Sequence, residues 1–210
     1  SIFTHLAASD QPEHDSFTIQ QINLFEKWSQ KVIDQLGYPT LRHILNSNGI
    51  TRFKDYQYEM VRLGLGLYGI DNSEMIQDLL QPVGTLKTTI TQIKEVAAGE
   101  TVGYSRKGKV TEDKRIATVG IGYADGLDRR LSNGKGFMMI HQQHAPIIGN
   151  VCMDMTMLDI THIPEAKEGD EVLVFGKELP IQWLAERTGT IPYEILTSIS
   201  QRVKRVYFQE

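Results

Sequence analysis

Short apolar runs alternate with helical periodicity over the first eighty residues. Ile2 to Ala8 and Leu41 to Leu45 read as buried strands, and Met60 to Leu65 as a third. After the first strand, a polar loop from Ser9 to Ser16 delivers Phe17. Ile22, Phe25, Trp28, Val32, Ile33 and Leu36 then fall near helical spacing, and Gly37 with Pro39 ends that helix. A turn at Ser47 to Gly49 and a short helix around Asp55 to Glu59 separate the second and third strands. Strands alternating with helices predict a parallel α/β unit, of barrel or doubly wound type.

Beyond Gly84 the pattern changes. Thr, Val and Ile alternate with polar residues, and turn signals recur at Ala98-Gly99, Asn133-Gly134 and Glu168-Gly169. Strands are predicted at Leu86 to Val96, Thr101 to Gly103, Arg115 to Val119, Phe137 to Ile140, His144 to Ile148, Met157 to Asp159 and Glu171 to Phe175. Helices follow at Ile181 to Thr188, started by Pro180, and at Ile191 to Ser198. The step from Pro82 to Gly84 is the one boundary this pattern draws, giving an α/β unit over 1–82 and a β-rich domain over 83–210.

Charge and cysteine content narrow the partners. Lys and Arg number 22 against 26 Asp and Glu, a net charge of −4 without a basic face, so neither nucleic acid nor an anionic membrane is expected. No run approaches the roughly 20 apolar residues of a bilayer span. One cysteine, Cys152, predicts a reducing, cytoplasmic setting and no disulfide. With one thiol and no HxH or HExxH spacing, no metal site is expected. Ser1 stands where a natural start would have methionine, and the first strand begins without a lead-in, so an internal segment of a longer chain is expected.

Several residues carry candidate chemistry. Arg62 lies within an apolar run, and a buried arginine needs a partner: an anion, an aromatic ring nitrogen, or carbonyls at a barrel end. The glycines at 64, 66 and 69 do not follow a dinucleotide fingerprint, and no P-loop lysine is present. His5 and His43 become neighbours if their strands pair, although each alone reads as a core histidine. Tyr104 is followed by Arg106, Lys107 and Lys109, which reads either as a tuned phenol or as a solvated hairpin tip. Gly120 and Gly122 mark either room for a ligand or a β-bulge. Cys152 and Met153 read as core by default, with no nearby cation to activate the thiol.

Taken in order, Phe3-Thr4-His5-Leu6-Ala7-Ala8-Ser9-Asp10, His43-Ile44-Leu45-Asn46-Ser47, Val61 to Gly69, Val102-Gly103-Tyr104, Ile121 to Gly126 and Cys152-Met153-Asp154 resemble the alanine racemase family of fold-type III pyridoxal-phosphate enzymes. The resemblance covers nearly the whole chain. It implies the C-terminal portion of an (α/β)8 barrel followed by a β domain, with the site at the C-terminal ends of the strands. It also implies cytoplasmic interconversion of L- and D-alanine for peptidoglycan by a homodimer whose subunits share their sites.

On the resemblance, His5 lies against the cofactor ring, Arg62 donates to the pyridine nitrogen, and His43 orients Arg62. Ser47, the amides of Gly64 and Leu65, and the Tyr193 phenol would bind the phosphate. Tyr104 becomes the acid/base on one face of the substrate. Met153 offers an amide to the substrate carboxylate and Tyr123 narrows the entrance. Asp10 and Arg129 match a corridor leading to the site, where Asn150 stands in place of the family's frequent arginine. The family's cofactor lysine sits in a Lys-Ala-Asn-Ala-Tyr-Gly type motif that these residues lack, so this chain alone is expected to be inactive. The alternatives are a related amino-acid decarboxylase and a non-catalytic module.

Overall fold

A computed structural model of the chain describes residues 1–71, 73 and 75–208. They divide into two compact units, Ser1–Val83 and Gly84–Glu210.

The first unit is built on a two-stranded parallel sheet, β1 (Ile2–Phe3) and β2 (Arg42–His43), in the register Ile2 to Arg42 and Phe3 to His43. Helix α1 (Asp15–Leu36) connects them and ends where Gly37 turns left-handed at φ 70°, its N–H closing on Ile33 O. Ile22 and Phe25 on α1 pack against Leu6, Ile44, Leu45 and Phe53 to form the core. Each such aliphatic contributes roughly 1.5–3 kcal/mol when fully buried.

The predicted strands shorten for a visible reason: their backbone groups bond to side chains. Gln21 on α1 donates to His5 O at 2.6 Å and accepts from the Ala7 amide at 3.2 Å, which ends β1 at Phe3. Met60 to Leu65 forms no strand. Its Arg62 amide reaches Leu45 O at 3.0 Å, while the amides of Gly64 and Gly66 both go to Ser47 Oγ. The predicted turn at Ser47 opens helix α2 (Ser47–Arg52) instead, capped by Asn46, whose side chain accepts from Gly49 N. The short helix expected around Asp55 to Glu59 is a 3-10 turn at Lys54–Tyr56.

The second unit is a six-stranded antiparallel sheet with helices packed beside it. Its strands are β3 (Leu86–Val96), β6 (Lys114–Val119), β7 (Phe137–Ile140), β8 (Gln143–Pro146), β9 (Thr156–Asp159) and β10 (Glu171–Phe175). They are ordered β8-β7-β10-β3-β6-β9. Their inward residues, including Ile90, Val119, Met138, Ile140, Leu158 and Val174, are buried. The hairpin β4 (Thr101–Val102) and β5 (Gly108–Lys109) stands apart as its own small sheet. Helices α3 (Ile181–Thr188) and α4 (Pro192–Ser198) close the unit. Among the described residues no helix is long and apolar enough to cross a membrane.

Candidate active site

In the first unit, Arg62 is the centre of a polar cluster. Its Nη1 lies 2.6 Å from His43 Nδ1 and donates to His43 O at 3.1 Å. Its Nη2 donates to Thr4 O at 2.8 Å and to Ile44 O at 3.4 Å, and stands 3.4 Å from His5 Nδ1. Among the described residues Nε has no such partner. A guanidinium is donor only, so His43 Nδ1 must accept and the imidazole is neutral. Burial holds His43 below its ordinary range, and the Arg62 charge adds to the shift. Phe3 stacks on the His43 ring at 5.1 Å and fixes its plane.

Beside this cluster, Ser47 Oγ accepts from Gly64 N at 2.9 Å and Gly66 N at 3.3 Å. Two backbone donors thus fill the acceptor side of one hydroxyl, whose own proton is left to donate to an anion's oxygen. A Cβ at Gly66 would lie 2.9 Å from Cδ1 of the exposed Leu63 side chain, which can move aside, and in ordinary contact with Ser47 Oγ at 3.7 Å. Leu65, the residue after Gly64 in the chain, is buried. Asp10 lies in the turn after Ser9, where its carboxylate accepts from Gln11 Nε2 at 3.4 Å. Asn46 escaped the sequence reading. Its carboxamide oxygen takes both Ser9 Oγ, at 2.8 Å, and the Gly49 amide, setting Ser47 in place; an Asn directly before Ser47 was the available signal.

In the second unit, Tyr104 sits on the β4–β5 loop, 72% exposed. Gly103, Ser105 and Arg106 around it all have positive φ, of 76°, 56° and 53°. Non-glycine residues in that region cost about 1 kcal/mol or more each and persist only where the surroundings enforce them. Asn150 contributes to that enforcement, donating to Tyr104 O at 3.4 Å while accepting from Asn133 Nδ2 at 3.0 Å. The Tyr104 loop is therefore tied to the segment that leads into Met153. Arg129 opens a 3-10 turn capped by Asp128. Tyr193 lies on α4, its carbonyl bonded by Thr197 Oγ1 at 2.8 Å.

Two family models match in succession: alanine racemase, N-terminal domain, over residues 1–72, and alanine racemase, C-terminal domain, over 83–207. The chain belongs to the alanine racemase family. It is 39% identical over 215 residues to alanine racemase 1 of Clostridium acetobutylicum, a match covering 99% of this chain and 55% of that protein. Solved alanine racemase structures are similar, two of which illustrate the match. The alanine racemase of Bacillus anthracis with bound L-Ala-P matches with a TM-score of 0.88 and 32% identity, over 100% of this chain and 55% of that one. That of Bartonella henselae with covalently bound pyridoxal phosphate matches at 0.87 and 33%, over 99% and 56%. The chain spans about half the length of the curated relatives it matches.

Three local expectations change in this alanine racemase family member. Met153 is 53% exposed rather than core. Cys152 does feel a cation: Arg129 pulls its thiol pKa down, but burial is the larger effect and the value is raised overall. The space at Gly122 is filled by protein backbone, neither by a ligand nor by a bulge. A Cβ there would come within 2.3 Å of both Cys152 O and Met153 O, and the next two amides, Tyr123 N and Ala124 N, bond those carbonyls at 2.9 and 3.0 Å. Tyr123 and Met153 are thereby brought onto adjoining loops, both exposed.

Proposed function

We propose that this chain supplies the closing portion of an (α/β)8 barrel and the β domain of a pyridoxal-phosphate-dependent alanine racemase that interconverts L- and D-alanine as a homodimer. The observation that carries the reading is the convergence on Arg62 of His5 and His43, with the Ser47, Gly64 and Gly66 donors alongside. These residues fit the cofactor by the chemistry of their donors: a guanidinium held in place with Nε to spare, and a Ser47 hydroxyl whose oxygen takes the Gly64 and Gly66 amides and whose proton is left to donate to a phosphate oxygen.

Held there, pyridoxal phosphate would supply an electron sink that makes the α-proton of bound alanine acidic. Arg62 would donate to its ring nitrogen without surrendering a proton, which limits that sink and favours return of the proton over side reactions. His43 keeps Arg62 oriented, and Phe3 keeps His43 in plane. Ser47, Gly64, Leu65 and Tyr193 would hold the phosphate, and His5 would lie against the ring. Tyr104 would carry the proton on one face, from a loop whose backbone is set by Asn150. The Met153 amide would bind the substrate carboxylate, Tyr123 would narrow the entrance, and Asp10 and Arg129 would line the approach. The cofactor lysine has no counterpart motif in these 210 residues, so the activity is proposed for the complete enzyme.

The test is a racemisation assay on the complete enzyme carrying this chain, loaded with pyridoxal phosphate and started from each enantiomer of alanine. Convergence of both reactions on an equal mixture is the expected result. Release of carbon dioxide from a basic amino acid, with alanine untouched, would replace the racemase with a decarboxylase.

A further inference from the structure

The residues after α4 fold back as a strap over the Tyr123 and Met153 loops. The Ser200 amide donates to Asp125 O at 3.0 Å, and Ser198 Oγ donates to Gly126 O at 3.4 Å. Gly126 permits this approach: it has φ 104°, and a Cβ there would meet Ser198 O at 2.5 Å. Arg205 ties the strap to itself, its guanidinium donating to Ile199 O at 3.0 Å and to Ser200 O and Val203 O at 3.2 Å.

From this strap one side chain reaches both loops. Arg202 Nε lies 2.7 Å from Asp125 Oδ1, and its Nη2 lies 2.5 Å from Asp154 Oδ1. The other oxygen of Asp125 accepts the Gly122 amide at 2.8 Å. Donors on a guanidinium have a fixed planar spacing, so the two carboxylates are set relative to each other by one rigid group. Burial opposes ionisation of Asp125, yet the Arg202 and Gly122 bonds outweigh it and hold the carboxyl below its ordinary range.

We propose that Arg202 is a positioning residue that clamps the Tyr123 and Met153 loops in one arrangement, an inference that rests on the reading of those loops as the substrate's walls. The backbone bonds from Tyr123 and Ala124 join the loops at Cys152 O and Met153 O, and the Thr156 hydroxyl joins their stems by donating to Ile121 O at 2.7 Å. Arg202 adds an attachment between those points, at Asp154. Without it, among the described residues, the stretch between Met153 O and Thr156 has no bond to the Tyr123 loop. No motif marks this role: Arg202 lies outside all of them, and its two partners are 77 and 48 positions away.

The experiment compares Arg202→Gln, Arg202→Lys and Asp154→Asn in the complete enzyme by amide hydrogen exchange and by alanine kinetics. In Arg202→Gln, exchange at the Tyr123 and Ala124 amides quickens by about tenfold while the β3–β6 ladder keeps its protection. The KM for alanine rises by about tenfold with kcat within about threefold, as loss of ground-state positioning requires. Arg202→Lys recovers part of both effects, since an ammonium satisfies one carboxylate at a time. Asp154→Asn, on an exposed site, reproduces the loosening without disturbing the sheet. Unchanged exchange and unchanged KM in all three variants overturn the clamp while leaving the racemase reading intact. If the unmodified enzyme does not racemise alanine, the racemase reading fails, and the exchange data still decide the clamp in either direction.

Discussion

Nη1 of Arg62 donates to Nδ1 of His43 across 2.6 Å, and the same guanidinium spans the carbonyls of Thr4, His43 and Ile44. The arginine thereby takes the place of a third strand, closing backbone groups at the ends of β1 and β2 that a sheet would otherwise pair. It also keeps His43 neutral, and this has consequences for stability and for pH.

His43 should make the first unit sensitive to mild acid. Its folded pKa is depressed by burial and then by Arg62, whereas the unfolded chain has the ordinary value of about 6.5. Below that value the unfolded state binds a proton that the folded state refuses, so the stabilisation is complete above pH about 6.5 and is lost as pH falls through the folded pKa. Thermal melts between pH 8 and 5 should show a falling midpoint, and His43→Gln, which still accepts from Arg62, should flatten it. An equal fall in both proteins would remove His43 as the cause.

Arg62→Lys is expected to be a damaging change. One ammonium cannot replace two Nη groups that reach three carbonyls and two imidazoles, so about 1–3 kcal/mol of local stability is lost. Urea titration followed by exchange at the Arg62 amide measures it. In the complete enzyme the same variant should weaken retention of the cofactor during dialysis, and unaltered retention would count against the proposed ring contact.

The Gly122 approach is equally open to test. Gly122→Ala drives a Cβ to 2.3 Å from two carbonyl oxygens, whereas at Gly120 the nearest atom is Thr91 Cγ2 at 3.8 Å. Gly122→Ala should cost about 1–3 kcal/mol and loosen the Tyr123 loop, and Gly120→Ala should cost less than about 1 kcal/mol. Comparable urea midpoints for the two would show that the loops part without penalty.

Much of the second unit was legible because an antiparallel sheet with one buried face writes itself in period-two alternation. Leu86–Val96, Phe137–Ile140, Glu171–Phe175 and Ile181–Thr188 have the limits their patterns predict. The first unit was less legible. Its apolar runs were read as buried strands, yet Phe3, Leu41, Met60 and Leu63 are exposed and only Leu6, Ile44, Leu45 and Leu65 among their aliphatics are buried; the ladder bonds they imply are taken by Gln21, Ser47 and Arg62, and the pattern of apolar residues does not report which group fills a backbone donor. The pairing of His5 and His43 through neighbouring strands was foreseeable, and the structure sets both on Arg62. Gly122 was visible as a close approach, but what approaches it lies some thirty residues away and could not be named. Asn46 and Arg202 act entirely through others, which leaves no mark on periodicity or composition.

The most direct measurement follows solvent deuterium entering the α-position of each alanine enantiomer in the complete enzyme with Tyr104→Phe. With one of two proton carriers removed, racemisation should fall by a factor of about 100 or more while the cofactor stays bound, and exchange should persist from one enantiomer only. Exchange lost equally from both, or kept from both at the unmodified rate, would contradict the assignment of Tyr104 as the carrier on one face.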